Sequence, residues 1–145
     1  MFSSPFSQGP LQRPGAARHS AVMYSQVSVE TRLSGATPHQ LVAMLFDGYM
    51  EALAQARGAM VEGRLAEKGA ALGRAVRIVE EGLRAGLDLN AGGPLARDLD
   101  ELYRYLCSRL TMANLRNDLA ALDECRRLVL PLQEAWAGIA PRAGA

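Results

Sequence analysis

The chain has 145 residues, 49% of them hydrophobic, and its 16 Lys and Arg residues against 15 Asp and Glu residues give a formal net charge of +1. This length suits one domain with a single hydrophobic core. The balanced charge gives no general attraction for nucleic acid or an anionic membrane, and no segment reaches the ~18 to 20 consecutive apolar residues of a membrane span. We therefore expect one globular domain with no nucleic-acid partner and no membrane-inserted segment.

The N-terminal region differs in composition from the rest of the chain. Residues 1–21 are rich in Ser, Pro, Gly and Gln and show no hydrophobic period, which predicts a flexible tail. Residues 22–36 contain the segment VMYSQVSVETRLS and precede the first helix signal, so we expect an N-terminal arm or a short helix lying on the core. The structured domain is predicted to span residues 22–140.

The first helix is predicted over residues 38–62. Thr37 and Gln40 have the spacing of a capping box, and Pro38 fills the first helical position, where no amide donor is needed. Apolar residues then recur at three- and four-residue steps, which places them on one side of a helix. They are Val42, Leu45, Phe46, Tyr49, Leu53, Ala56 and Met60.

Three further helices are predicted over residues 66–89, 94–115 and 118–139, each with an amphipathic pattern. Pro131 removes an amide donor inside the last helix, so we expect a bend or a break there. The predicted core stripe of the third helix is Leu95, Leu99, Leu102, Leu106, Leu110 and Ala113. Short connections make neighbouring helices antiparallel, and the predicted fold is all-α: an antiparallel up-and-down four-helix bundle with a mobile N-terminal arm.

The sequence carries no signature of catalytic or metal chemistry. Its two histidines, His19 and His39, do not follow a Glu by three residues, as a di-iron site in a helical bundle would require. His39 is expected to be an exposed structural residue, and Cys107 and Cys125 are expected to be buried thiols in a reducing cytosol. With no phosphate-binding glycine loop and no nucleophile–base set, we predict a cytoplasmic protein that is not an enzyme and binds no cofactor or metal.

Four arginines lie between residues 109 and 127, where they could contact phosphates. Asp118, Asp123 and Glu124 are interleaved with them, which favours a salt-bridged, solvated end of the bundle over a phosphate site.

Several apolar residues lie outside the predicted core stripes. Leu41, Met44 and Met50 widen the apolar arc of the first helix, which must either contact two neighbours or leave apolar surface for a partner. Tyr103, Tyr105, Leu115, Leu119 and Leu128 have similar positions on the last two helices. Together these residues predict a groove for an amphipathic peptide.

Several segments, taken together and in order, resemble the flagellar secretion chaperone FliS family. They are YSQVSVET, TPHQLVAMLFDGY, GGPLARDLDELYRYLCSRL, ANLRNDLAALDE and EAW, and the likeness runs from about Tyr24 to Ile139. The resemblance implies a cytoplasmic helical bundle that binds the C-terminal segment of flagellin, holds it unpolymerised and delivers it to components of the flagellar export apparatus. It also implies a monomer or weak homodimer when free. The alternative is a generic helical adaptor for another amphipathic segment.

The same resemblance implies which residues bind flagellin. Tyr24 and Val27 belong to the N-terminal arm, which in the family can occupy part of the client surface, with Tyr24 as its anchor. The other implied contacts are Leu41, Met44, Leu45, Tyr49, Tyr103, Leu106, Leu110, Ala113, Asn114, Leu115 and Asn117.

Overall fold

A computed structural model describes residues 35–139. Within that range the chain forms four α-helices and one π-helical segment: α1 (Pro38–Glu62), α2 (Leu65–Arg77), π1 (Ile78–Arg84), α3 (Gly93–Arg116) and α4 (Leu119–Gly138). α1 packs against α2, π1 and α4, and α3 packs against the same three elements. The predicted all-α four-helix bundle is confirmed, whereas the predictions for residues 1–21 and for Tyr24 and Val27 lie outside the described residues.

The start of α1 is fixed by the predicted capping box. The Thr37 amide donates to Gln40 Oε1 at 2.9 Å, and the Gln40 amide donates to Thr37 Oγ1 at 3.0 Å. Pro38 occupies the first helical position, as predicted. At the other end Gly63 has φ +74, a left-handed conformation that glycine adopts without steric cost, and this turns the chain into α2.

The second helix changes its hydrogen-bond pattern part of the way along. It was predicted over residues 66–89, but after Arg77 the chain continues as π1, in which the Ala85 amide donates at 3.2 Å to the Glu80 carbonyl five residues earlier. Gly82 faces α1 so closely that a Cβ atom there would lie 2.7 Å from Leu45 Cδ2. The missing side chain at residue 82 allows the two helices to approach to this distance.

Aromatic and aliphatic side chains from all four helices form one core. Tyr49, at its centre, has no exposed surface, and its hydroxyl donates to the Cys125 carbonyl at 3.0 Å, which joins α1 to α4. Cys125 is buried, as predicted, and burial raises the pKa of its thiol to about 12. Cys107 is only half-buried, because its sulfur lies at the edge of the core, 3.7 Å from Glu80 Oε1.

The core face of α3 differs from the predicted stripe in its first half. Leu95 is 48% exposed, whereas Tyr103, predicted to flank the stripe, has no exposed surface. Asp100 lies on the buried face of α3 together with Ala96 and Tyr103, and it forms ion pairs with Arg84 at 2.8 Å and with Arg104 at 3.0 Å. The pair with Arg84 ties this carboxylate to π1, and Tyr103, one turn further along α3, then faces the core.

α4 is one continuous helix. Asp118 caps it by accepting the Ala121 amide at 3.1 Å, and the helix runs through Pro131 to Gly138 without breaking into two pieces. Val129 and Trp136 are buried on either side of the proline, so packing on the core holds both halves of the helix in place despite the missing amide donor.

The start of α1 and the end of α4 are joined through His39 and Trp136. Their rings stack with centroids 5.0 Å apart and an interplanar angle of 11°. His39 Nε2 lies 2.8 Å from the Trp136 carbonyl, and Trp136 Nε1 donates to the His39 carbonyl at 3.0 Å. His39 is therefore buried, and the prediction that it is exposed was wrong because its cover comes from a residue 97 positions later.

We predict that two glycine-to-alanine substitutions in the second helical segment have different effects on stability. Gly69 has open space at its Cβ position, so Gly69→Ala should raise the free energy of unfolding by up to about 1 kcal/mol, as expected for an unstrained helical position. Gly82→Ala pushes against Leu45, and overpacking of this kind costs about 1 to 3 kcal/mol. Urea unfolding followed by circular dichroism measures both changes, and equal stabilisation by the two variants would show that Leu45 yields freely.

We also predict that stability falls as the pH drops below about 6.5, the ordinary pKa of histidine. Burial lowers the pKa of His39, and its hydrogen bond with the Trp136 carbonyl opposes this shift only in part. The unfolded chain thus takes up a proton at a higher pH than the folded chain does. The stabilisation is complete above the unfolded pKa and is lost as the pH falls through the folded pKa.

Chemical denaturation at several pH values measures this effect. His39→Gln should make the free energy of unfolding independent of pH between pH 6.5 and the folded pKa of His39. The variant should still lose stability at lower pH, because the carboxylates of Asp123 and Glu124 have lowered pKa values in the folded state and become protonated there. An unchanged slope in His39→Gln would assign the pH dependence to other groups.

Candidate functional site

The bundle has two ends, which we name by residues that lie there. The His39 end contains the start of α1 and the end of α4, in contact through His39 and Trp136. The Gly63 end contains the connection from α1 to α2 at Gly63 and the connection from α3 to α4 at Asn117. Because α1 and α3 run in the same direction, the start of α1 and the end of α3 lie at opposite ends of the bundle.

The predicted contacts on α1 lie towards the His39 end and differ in burial. Leu41, Met44 and Leu45 are half-buried, and Leu41 and Leu45 pack against the core cluster. Tyr49 is fully buried. The wide apolar arc of α1 is thus used mainly to contact the two helices on either side of it. Among the predicted contacts on α1, Met44 is the one that does not pack against the core cluster and so leaves apolar surface exposed.

The predicted contacts on α3 divide into a buried and an exposed group. Four residues have no exposed surface and belong to the core: Tyr103, Leu106, Leu110 and Ala113. A client could touch these side chains, or that of Tyr49, only if the bundle opened. Asn114, Leu115 and Asn117 are exposed at the Gly63 end, with Leu115 at 76%.

Lys68 shapes the surface beside this exposed group. Its ammonium donates to the Asn114 carbonyl at 3.0 Å and to Asn117 Oδ1 at 3.3 Å, although the residue itself is buried. Asn117 has φ +52 and ends α3 in a left-handed conformation. The structure therefore places the predicted contacts in two separate regions, one on α1 near the His39 end and one at the Gly63 end of α3.

A groove between α1 and α4 near the Gly63 end contains none of the predicted contacts. Its cavity measures about 400 Å³ and is lined by Leu53, Ala54, Arg57, Gly58, Val61, Glu62, Leu122, Asp123 and Arg126. Ala54 and Gly58 lie one turn apart on α1 and have almost no side chain, which opens space above the buried Leu53 and Leu122. Val61 is 61% exposed at the end of this groove.

Charged residues along the groove are mostly paired. Arg57 donates through Nε to Asp123 Oδ1 at 3.0 Å and through Nη2 to Oδ2 at 3.3 Å, a two-point contact that joins α1 to α4. This hydrogen bonding lowers the pKa of Asp123. Glu62 pairs with Arg64 at 2.9 Å. The groove thus combines an apolar base with charged edges.

On the neighbouring α3–α4 face, Glu124 accepts from the Tyr105 hydroxyl at 2.7 Å and from Arg109 Nε at 2.8 Å. The predicted salt-bridged pattern is confirmed for Arg109. Tyr105, although 43% exposed, is held by a charged partner and is not a freely available apolar residue.

Among residues 35–139, no group of three or more His, Cys, Asp or Glu side chains could hold a metal ion. None of the helices in this part of the chain is long and apolar enough to cross a membrane. His39 is engaged with Trp136, and burial raises the pKa of the Cys107 thiol to about 11, which disfavours its reactive thiolate form.

Comparison with known proteins places the chain in a family. A model of the family described as "Flagellar protein FliS" matches residues 20–143. The chain is 48% identical over 120 residues to the flagellar secretion chaperone FliS of Salmonella typhimurium, with 83% of this chain and 89% of that protein covered. It is 47% identical over 116 residues to the flagellar secretion chaperone FliSB of Pseudomonas aeruginosa, covering 80% of this chain and 91% of that one. The relative from Bacillus subtilis, also a flagellar secretion chaperone, is 31% identical over 113 residues, which are 78% of this chain and 80% of its own. The chain therefore belongs to the FliS family of flagellar secretion chaperones.

Proposed function

We propose that this protein binds the C-terminal segment of flagellin in the bacterial cytosol, prevents its premature polymerisation and aids its delivery to the flagellar export apparatus. Membership of the FliS family carries this proposal, because the family match spans residues 20–143 and so includes the whole described bundle. The relatives' names supply the chaperone role in flagellar secretion. Flagellin as the client follows from the family resemblance of the sequence.

The physical requirement on such a chaperone is a large apolar contact surface. A filament-forming segment carries apolar stripes that are uncovered before assembly, and covering them removes the surfaces that nucleate polymer. Burying ~1,000 Å² of apolar surface gives a gross ~25 kcal/mol, most of which is offset by ordering and association costs. A single small pocket cannot supply this area, so we propose contacts spread over several faces of the bundle.

The accessible members of the predicted contact set are the ones we propose to touch the client directly. Met44 on α1 and Leu115 on α3 offer apolar surface, and Asn114 and Asn117 offer amide groups beside Leu115. The buried members, such as Tyr103, support this surface from beneath by fixing the position of α3.

The N-terminal arm remains part of the proposal, with Tyr24 as its anchor and Val27 beside it. An arm that competes with the client for the same surface lowers the apparent affinity by the fraction of time it is docked. Displacement of the arm by the client would then expose the arm to a second partner, which offers a way to signal loading to the export apparatus.

Calorimetric titration with a peptide of about 40 residues, taken from the C-terminus of flagellin of the same organism, tests the function. A segment of that length can bury the ~1,000 to 3,000 Å² typical of coupled folding and binding. We predict one-to-one binding with a negative heat-capacity change, because apolar surface is removed from water. Absence of binding by a protein whose circular dichroism shows a folded bundle would leave the generic adaptor as the remaining function.

Two variants separate the proposed contacts from the core. Leu115→Asp replaces an exposed apolar side chain with a charge and should weaken peptide affinity by about tenfold while leaving the unfolding free energy within about 0.5 kcal/mol of the parent. Leu110→Ala, within the core, should lower the unfolding free energy by about 2 to 5 kcal/mol. Unchanged affinity in Leu115→Asp would remove the Gly63 end of α3 from the client surface.

A further inference from the structure

One of the charged residues that line the groove between α1 and α4 has no direct partner among residues 35–139. Arg57 is paired with Asp123, and Glu62 is paired with Arg64. Arg126 also lines the groove and is exposed, yet within residues 35–139 its guanidinium forms no hydrogen bond or ion pair, although its charge helps to lower the pKa of Asp123. One positive charge at the edge of the groove is therefore left without a direct partner in the described chain.

The apolar part of the groove is also incompletely covered. Val61 is 61% exposed beside the small residues Ala54 and Gly58, and the cavity between them and α4 measures about 400 Å³. Clefts of about 300 to 1,000 Å³ are the usual size for binding a compact group of atoms. The lining of α1 from Leu53 to Glu62 corresponds to a length of about 14 Å at 1.5 Å per residue, enough for two to three turns of a docked helix or about four extended residues.

We propose that this groove is a docking site for a short apolar part of the flagellin segment that carries a carboxylate, with the carboxylate paired to Arg126. The inference rests on the proposed function and names the chemistry of one part of its client. Apolar side chains of the client fill the space above Leu53 and Leu122, while an Asp or Glu at the edge pairs with the guanidinium. Charge complementarity selects this occupant, because the acids lining the groove, Glu62 and Asp123, each have an arginine partner.

The position of Arg126 determines what the pair contributes. A charge at the edge of an interface steers association and fixes the register of the bound segment more than it adds affinity. The apolar base supplies contact area, and Arg126 selects which stretch of a long apolar client settles there. A client segment without a carboxylate at the matching position would bind this groove less tightly.

The test compares matched variants in calorimetric titration with the C-terminal flagellin peptide. Arg126→Glu reverses the charge in the groove, and Arg97→Glu makes the same change in net charge at an exposed residue of α3, which does not line the cavity. Ala54→Trp fills the groove, and Ala70→Trp adds the same side chain at an exposed position on α2. Thermal unfolding establishes that all four variants are folded.

We expect the two groove variants to weaken peptide affinity by about tenfold and the two controls to change it by less than about twofold. Affinity of the parent protein should decline with rising salt, and Arg126→Glu should flatten that dependence. In a second series, each Asp or Glu of the client peptide is replaced in turn by lysine. At one position the lysine-substituted peptide should bind the Arg126→Glu variant more tightly than the unsubstituted peptide binds that variant.

The outcomes are separable. A parent protein that fails to bind the peptide contradicts the proposed function itself. If the parent binds and the groove variants bind equally well, the function stands and the groove inference is overturned. If the groove variants leave peptide affinity unchanged but alter self-association of the free protein in sedimentation, the occupant is a second copy of this chain, and the inference is again overturned.

Discussion

The burial of α1 on two sides is the constraint on which the rest of this structure depends. α2 with π1 covers one side and α4 covers the other, while Gly82 against Leu45 and the Tyr49 hydroxyl on the Cys125 carbonyl fix the two contacts. Because one helix contacts both neighbours, its wide apolar arc is mostly used within the fold. The surface that α1 leaves uncovered is therefore set by where these two contacts end, and the groove towards the Gly63 end is one such place.

Features of the fold that depend on residues close together in the sequence were predicted correctly, whereas features that depend on contacts between distant residues were not. The capping box at Thr37 depends on residues three positions apart, so the sequence displays it directly. The buried face of α3 includes Asp100, whose ion-pair partner Arg84 lies 16 residues earlier, and the burial of His39 depends on Trp136, which is 97 residues away. The π-helical segment was not predicted, because the buried residues Val79, Leu83 and Leu87 keep four-residue steps through it, as they would in an ordinary amphipathic α-helix.

The candidate site was harder to predict than the fold for a related reason. A single sequence does not distinguish an apolar residue that fills the core from one that contacts a binding partner. Tyr49 and Leu106 were predicted as client contacts, but neither has any exposed surface. The groove was missed because its opening is made by small residues, Ala54 and Gly58, whereas a search for binding surfaces looks for large ones. The signal available in the sequence was a pair of small residues one turn apart, Ala54 and Gly58, followed by Val61.

The contact between His39 and Trp136 has a consequence for the connectivity of the chain. It brings the first turn of α1 beside the last turn of α4, so residues 35 and 139 both lie at the same end of the bundle. The four helices thus form a closed ring of neighbours, in which the gap between residues 35 and 139 resembles another connection. A circular permutant, with a linker across the His39 end and new termini at the exposed Gly63 turn, would preserve every helix pairing. The order in which the helices follow one another along the chain is then less important to this architecture than the ring of contacts they form.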